Sequence, residues 1–385
     1  MTRPLTIVVS GMIAADPHQG GATWAVLQYV LGLQRLGNEV FLIEPVQSAS
    51  LRPLGASLAE STNAAYFDSV LHGFGLKQHA ALLLAGTEQT IGLPYAQLTD
   101  VARRADLLIN ISGMLTDAAL TEPIRARAYL DLDPAFIQLW QSQGIDMRLS
   151  GHTHHVTIGL ALSEPDCPLP TCGRSWIKTL QPVVLDRWPV AGPIRYDAFT
   201  TVGNWRGYGS IQHESTFYGQ KAHSFRQFVA LPTRSPARFL LAMSLHSDEK
   251  QDLAALDANG WQLIDPRECA GTPERYQQFV QGSKAELGIA KSGYVVAQCG
   301  WFSDRSICYL ASGRPVVAQE TGFSRYLPSG EGLFAFRDLG ELLAAIEAIE
   351  RDYPRHAAAA RRIAEEYFDS DKVLLRLLEA LGVAR

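Results

Sequence analysis

Short apolar runs closed by glycine, proline or polar residues recur along the chain, with longer stretches between them whose apolar residues come at three- and four-residue spacing. Leu5–Ser10 reads as a buried strand, followed by a loop over Gly11–Gln19 and the pair Gly20-Gly21. A helix through Leu36 then places Val26, Leu27, Val30, Leu31 and Leu33 at helical spacing; Gly37-Asn38 caps it, and Val40–Ile43 is a second strand closed by Glu44-Pro45. Asp106–Ile111 and Ala128–Asp131 read as further strands, each ending in polar residues. Met147–Ile158 carries His152, His154 and His155 on a strand, and Pro165–Trp188 is irregular, with the interdomain passage in its second half. The alternation resumes with strands at Phe199–Val202, Arg238–Met243 and Trp261–Ile264 and helices around Lys221–Phe228 and Asp248–Asn259. From Glu341 onward the pattern is two amphipathic helices. Such strand–helix alternation in each half predicts an α/β chain with two parallel, helix-covered sheets.

One stretch, Tyr294–Gly322, concentrates the local signals. Tyr294–Gln298 is apolar and β-branched and reads as a strand. Ser303 stands where a helix N-cap belongs, and Ile307, Leu310 and Ala311 form the apolar face of a short helix. Gly313 suits a left-handed C′ position and Pro315 stops any continuation. Pro315–Gln319 is then a strand with Glu320-Thr321-Gly322 at its carboxyl end. A helix start in that position, with Arg305 beside it, is a seat for a phosphate in the crevice where open α/β sheets bind ligands.

At 385 residues the chain exceeds one ordinary core, and two domains of roughly 150–200 residues fit the size prior. A net charge of −5, dispersed along the chain, argues against general binding to nucleic acid or anionic membranes. Cys167, Cys172, Cys269, Cys299 and Cys308 form no CxxC pair and suit reduced thiols of a cytoplasmic protein. No segment has the length of a membrane span, and the first apolar run is too short for a signal peptide.

Two motifs carry a family resemblance. HQGGATWAVLQYVLGLQRLGNEVFLIEP resembles the N-terminal signature of GT-B glycosyltransferases, and SDRSICYLASGRPVVAQETG resembles their donor-binding unit, particularly in group-1 and CgeB-like forms. The closing EEYFDSDKVLLRLL is similar to the terminal helix of that superfamily, which crosses back to the first domain. The resemblance implies two Rossmann-like domains facing each other across a cleft: residues 1–187 on the acceptor side, 188–365 on the donor side, and a crossing helix over 366–385. It also implies transfer of a sugar from a UDP-, TDP- or GDP-sugar to an acceptor hydroxyl, without a bound metal or other cofactor. One departure stands out. The two glutamates that group-1 enzymes carry eight positions apart fall here on Gly300 and Cys308, leaving Asp304, Glu286 or Glu320 to hold the donor ribose.

The donor-side candidates are Gly20, Gly21, Gly203, Asn204, Arg206, Lys221, Glu286, Lys291, Ser303, Asp304, Arg305, Ser306, Glu320, Thr321 and Gly322. Among them, Arg305, Lys291, Arg206 and Lys221 are the cations for a departing diphosphate, with Arg305 first. An Arg305–Asp304 surface pair and solvated lysines are the plain alternatives, as a tight turn is for Gly20-Gly21 and for Glu320–Gly322. His18 and Asp16, in the loop after the first strand, are the candidate general base, with Asn110, Asp131 and His154 on the acceptor side. The segment Ser163–Trp188 and the histidine-bearing strand are the expected acceptor contacts. The spacing puts two of the three histidines on one strand face, but no third ligand of the right type for a zinc site lies nearby. Trp205, Trp301 and Tyr218 suit either stacking on a base or sugar or the core. An epimerase or hydrolase of the same fold, and a non-catalytic nucleotide-sugar-binding protein, compete with the transferase reading.

Overall fold

The computed structural model describes residues 3–383, so the outermost residues of the expected 1–187 and 366–385 segments lie outside it. The first sheet contains β1 (Thr6–Ser10), β2 (Glu39–Val46), β3 (Ala80–Leu84), β4 (Thr90–Gly92), β5 (Leu107–Ile111), β6 (Ala126–Asp131), β7 (His154–Thr157) and β8 (Trp176–Lys178). Their order is β4-β3-β2-β1-β5-β6-β7-β8, parallel throughout except for the β3–β4 edge pair. The chain then crosses over through residues 179–195. A second sheet contains β9 (Tyr196–Asn204), and a small antiparallel hairpin, β10 (Ile211–His213) with β11 (Thr216–Tyr218), follows that strand. β12 (Phe239–Ser244), β13 (Gln262–Ile264), β14 (Ser283–Gly288), β15 (Val316–Gln319) and β16 (Leu333–Phe336) complete the second sheet in the all-parallel order β13-β12-β9-β14-β15-β16. In each sheet the strand order reverses beside the first strand, and the carboxyl ends at that reversal open a crevice.

Two expected elements come out differently. Tyr294–Gln298 is no strand: Ser292–Ala297 is a short helix ended by Gln298 at φ 47°. Its buried residues Tyr294 and Ala297 are three apart while Val296 is exposed, a helical spacing that outweighs the β-branched composition. The sheet position is taken instead by β14, whose sequence SKAELG carries a single long aliphatic side chain. The tail holds three α-helices, Leu339–Arg351, Tyr353–Ile363 and Ser370–Ala380, the last two joined by a π-helical turn over Ala364–Phe368; Asp352 caps the second start, with Pro354 in its first turn.

The two sheets are fastened together by the long helix Gly20–Arg35 and the last helix. Gly32 lies so close to the latter that a Cβ there would sit 2.5 Å from Leu374. Trp24 packs edge-on against Trp188 and donates its indole N–H to Pro273 O at 2.8 Å. Gly20 and Gly21 are themselves closing contacts: a Cβ on Gly20 would come within 2.6 Å of Ala270 O and nearer still to Thr272 O, and one on Gly21 within 2.9 Å of the Tyr276 ring. The glycine pair therefore brings the first helix against the second domain as well as toward the crevice. Among the described residues no helix is long and apolar enough to cross a membrane.

Candidate active site

A cavity of about 800 Å³ lies between the two sheets. Its first-domain wall is His18 to Ala22, at the start of the long helix. Its floor is Gly203 and Asn204 at the end of β9, with Lys291, Asp304 and Arg305 beyond. The helix Asp304–Ala311 begins here, with the Ser303 hydroxyl accepting the Arg305 N–H at 3.2 Å as its N-cap. Gly313, at φ 67°, takes the left-handed position that ends the helix.

Arg305 is held from two sides. Its Nε donates to Glu286 Oε1 at 2.5 Å and its Nη1 to Val202 O at 3.1 Å. The pair with Asp304 is thus replaced by one with Glu286, a fully buried carboxylate on β14 whose other oxygen has no hydrogen-bond partner. Burial alone would lower the guanidinium pKa, but Glu286 holds it raised, so Arg305 stays charged. Lys221 lies beside it, buried, with its ammonium donating to Ile289 O at 2.7 Å. Burial, with Arg305 adding to it, pushes Lys221 well below the ordinary lysine value. Burial raises Asp304 above the usual carboxylate range, against the opposing pull of Arg305. A Cβ on Gly203 would stand 3.8 Å from Arg305 Nη1 and 3.9 Å from Lys221 Cε, so the bare backbone lies against both cations; Arg305 lines the cavity, whereas Lys221 sits buried behind it.

Lys291 is bound differently. Its ammonium sits 3.9 Å from the centre of the Tyr208 ring, near Phe136 and Tyr294, and 3.5 Å from Asp133 Oδ2. Tyr208 and Tyr294 donate their hydroxyls to the same Asp133 carboxylate. Asp133 belongs to the first domain and the other polar partners to the second, so the cluster closes the domain seam at one end of the cavity.

Other expected residues point away from the cavity. Arg206 pairs with Glu249 outside the cavity. Glu320 accepts from Gly322 N at 2.6 Å and from the Ser324 hydroxyl, and Thr321 donates to Trp301 O. Glu320, Thr321 and Gly322 thus build the turn that meets Gly300. Ser306 is buried in the helix. Of the three carboxylates proposed for the ribose, Asp304 alone lines the cavity. Gly300, at φ 76°, would place a Cβ 2.8 Å from Ala161 N, and Cys308 is buried under Gln28, so neither position has room for a glutamate reaching the cleft. Asp131 is fully buried, accepting from Gln138 at 2.8 Å and Thr157 at 2.9 Å, and burial pushes its carboxyl up to about 7. Asn110 is closed onto Leu115 and His152, and His154 onto Thr153. Trp205 donates to Asp252 at 2.7 Å, Trp301 stacks 4.2 Å from Tyr294, and Tyr218 is buried. Among the described residues no three His, Cys, Asp or Glu side chains converge in a metal-binding group. The segment after Ser163 runs along the seam, where Arg325 pairs with Asp166 at 2.9 Å and Gln181 reaches Phe302 O at 2.9 Å.

His18 lines the large cavity and also a smaller one of about 320 Å³, which Asp16 lines too. Their loop is rigid at its base: the buried Glu44 carboxylate accepts from Ala14 N at 2.8 Å and Ala15 N at 2.7 Å. Sequence reasoning missed Tyr276, Arg267 and the Met243–Leu245 edge, all on the cavity wall. The available signal was the run Asp265-Pro266 and Thr272-Pro273-Glu274, two successive helix starts that the structure caps through Asp265 and Thr272.

No family model and no curated protein matches this chain. Solved structures do. An alpha-glucosyltransferase in complex with UDP-glucose and abasic DNA superimposes with a TM-score of 0.61 at 12% identity, covering 98% of this chain and 99% of that one. The Anabaena protein HepE in complex with UDP-glucose gives 0.59 at 13% identity, covering 98% and 100%. A glycosyltransferase from Rickettsia africae gives 0.55 at 12%, covering 99% and 98%. The chain therefore has the GT-B glycosyltransferase fold, two Rossmann-like domains around a cleft, over its whole described length. One neighbour was solved with DNA, whereas the expectation of no general nucleic-acid binding here rests on the charge of −5.

Proposed function

We propose that this protein is a glycosyltransferase of the hexosyl type that takes its sugar from a UDP-, TDP- or GDP-sugar, residues 188–365 holding the donor and 1–187 the acceptor, with the last helix crossing back. The observation that carries the reading is a capped helix start with Arg305 on the cavity wall beside Gly203, and Lys221 buried directly behind them. In this reading the anomeric C–O bond to the diphosphate breaks with its electron pair leaving on the phosphate oxygen. The acceptor oxygen forms the new C–O bond, and its proton passes to His18. Charge growing on the leaving group meets fixed donors already aimed at it, so the reading needs no bound metal ion to neutralise it. Asp304 is the ribose partner. Incubation with a panel of nucleotide sugars tests this: stabilisation by a nucleoside diphosphate together with slow donor hydrolysis supports it. Stabilisation without any turnover of the donor supports a binding protein instead.

Two expectations follow here. His18→Ala abolishes transfer, read as nucleotide release in the presence of acceptor, while the thermal shift with the nucleoside diphosphate survives. Near-normal turnover removes His18 from the role. The second concerns protons. Lys221 is lowered when the site is empty, and a diphosphate beside it favours the ammonium form, so binding takes up protons. Affinity then falls as pH rises through the lowered lysine value. Calorimetry in two buffers of different ionisation heat shows the uptake, and Lys221→Met loses most of it. For stability the sign is the reverse of a paired lysine: the folded chain holds fewer protons than the unfolded one between the lowered value and the ordinary one, so Lys221's contribution to stability rises with pH across that window.

A further inference from the structure

The smaller cavity beside His18 is lined by Arg52 and Arg267 on opposite sides of the domain boundary, with Asp16, Gln19 and Thr62 between them. It shares His18, Gln19 and Arg267 with the large cleft, so a molecule in it reaches the same imidazole as the donor sugar. We infer that this cavity is the acceptor site and that it selects an acceptor carrying an anionic group, a phosphate ester or a carboxylate on a small polyhydroxylated body. The inference rests on the glycosyl-transfer reading for the word acceptor, but the anion site itself stands on its own residues.

Arg52 is built into place. Its backbone N–H donates to Asn63 Oδ1 at 2.8 Å, and its carbonyl accepts from Thr62 N at 2.7 Å. Asn63 is fully buried and its amide nitrogen reaches Ala14 O at 2.7 Å, tying the Arg52 turn to the loop that carries Asp16 and His18. The Arg52 guanidinium spends only Nη1 on protein, donating to Ala49 O at 2.9 Å and Leu51 O at 3.0 Å. Nε and Nη2 have no partner among the described residues, and neither Arg52 nor Arg267 is in an ion pair there. A guanidinium oriented through one nitrogen and free at the other two presents the planar fork that matches carboxylate and phosphate oxygens. Asp16 is the opposing charge on the cavity wall, so the formal balance of arginines to carboxylates is two to one.

The lining also argues against other acceptors. At about 320 Å³ the space takes one small molecule, near the lower end of ligand pockets. It has no aromatic platform besides His18 and little aliphatic surface beyond Ala15 and Pro17, which leaves nothing for a lipid tail or for stacking a neutral sugar.

The test uses the full chain with a saturating nucleoside diphosphate and inorganic phosphate as the probe, titrated at constant ionic strength and followed by melting temperature. A saturable rise is expected. Arg52→Gln weakens the apparent phosphate affinity by about tenfold or more, Arg52→Lys by less, and the nucleotide-induced shift is unchanged because Arg52 does not line the large cleft. No saturable response, or the same response in Arg52→Gln, overturns the inference. A further arm compares glucose 6-phosphate, glucuronate and methyl glucoside as competitors of phosphate. Either anion competing better than methyl glucoside supports the shared chemistry and identifies its source, and equal competition by methyl glucoside overturns it. If no nucleotide stabilises the chain, the transferase reading fails while the Arg52 dependence of phosphate binding still decides this one.

Discussion

Arg305→Ala is expected to lose sugar transfer by about 10²–10³-fold, the cost of removing one fixed donor from a site where negative charge develops. It also strands the buried Glu286 carboxylate, whose Oε1 is held by Arg305 Nε and whose Oε2 has no partner. Breaking a buried pair from one side costs about 3–5 kcal/mol of stability. The two losses separate in Arg305→Lys, which keeps a cation against Glu286 but cannot reach Val202 O and the cavity at once. That variant should melt near the wild type and still transfer at least tenfold more slowly. Wild-type rates from Arg305→Lys, measured as nucleotide released per enzyme, would remove Arg305 from the donor site.

Gly20→Ala has the second large effect, and its cause is geometric. The new methyl meets two backbone carbonyls, Ala270 O and Thr272 O, which cannot rotate away as a side chain would. Forcing a methyl into packed structure costs about 1–3 kcal/mol, and here the strain is relieved by opening the seam between the domains. Donor affinity should fall by about ten- to a hundredfold, since each 1.4 kcal/mol is tenfold. Binding calorimetry with the nucleoside diphosphate checks this, and small-angle scattering should show a more open particle. Gly192→Ala, at a position outside the left-handed region where a Cβ meets nothing within 4 Å, serves as the control for a glycine changed without a clash.

What could be read in advance followed from local chemistry. Ser303 as a cap, Gly313 as a left-handed stop and the strand before Glu320 are dictated by their own side chains and immediate neighbours. Repeated alternation of apolar runs and helical spacing was enough for two parallel sheets. The misreadings share one cause, competition decided elsewhere in the chain. Tyr294–Gln298 has strand composition, but β14 occupies that place in the sheet with a run, Ser283–Gly288, whose half-buried Lys284 and buried Glu286 break the apolar signal. Direction was equally hidden. Asp131 and Glu320 follow strands as site residues do, yet their carboxylates are consumed by Gln138 and Thr157, and by Gly322 and Ser324. The resemblance to group-1 enzymes pointed to the right fold, while the bare Gly300 and buried Cys308 positions show why their glutamates could not be carried over.

The most direct measurement is a crystal structure of the protein grown with UDP. The account predicts diphosphate density against the first turn of the helix Asp304–Ala311, within hydrogen-bond distance of Arg305 and Lys221 and above Gly203, with the ribose toward Asp304. Density for the diphosphate elsewhere, with the Arg305 and Lys221 side chains still closed on Glu286 and Ile289 alone, would contradict it.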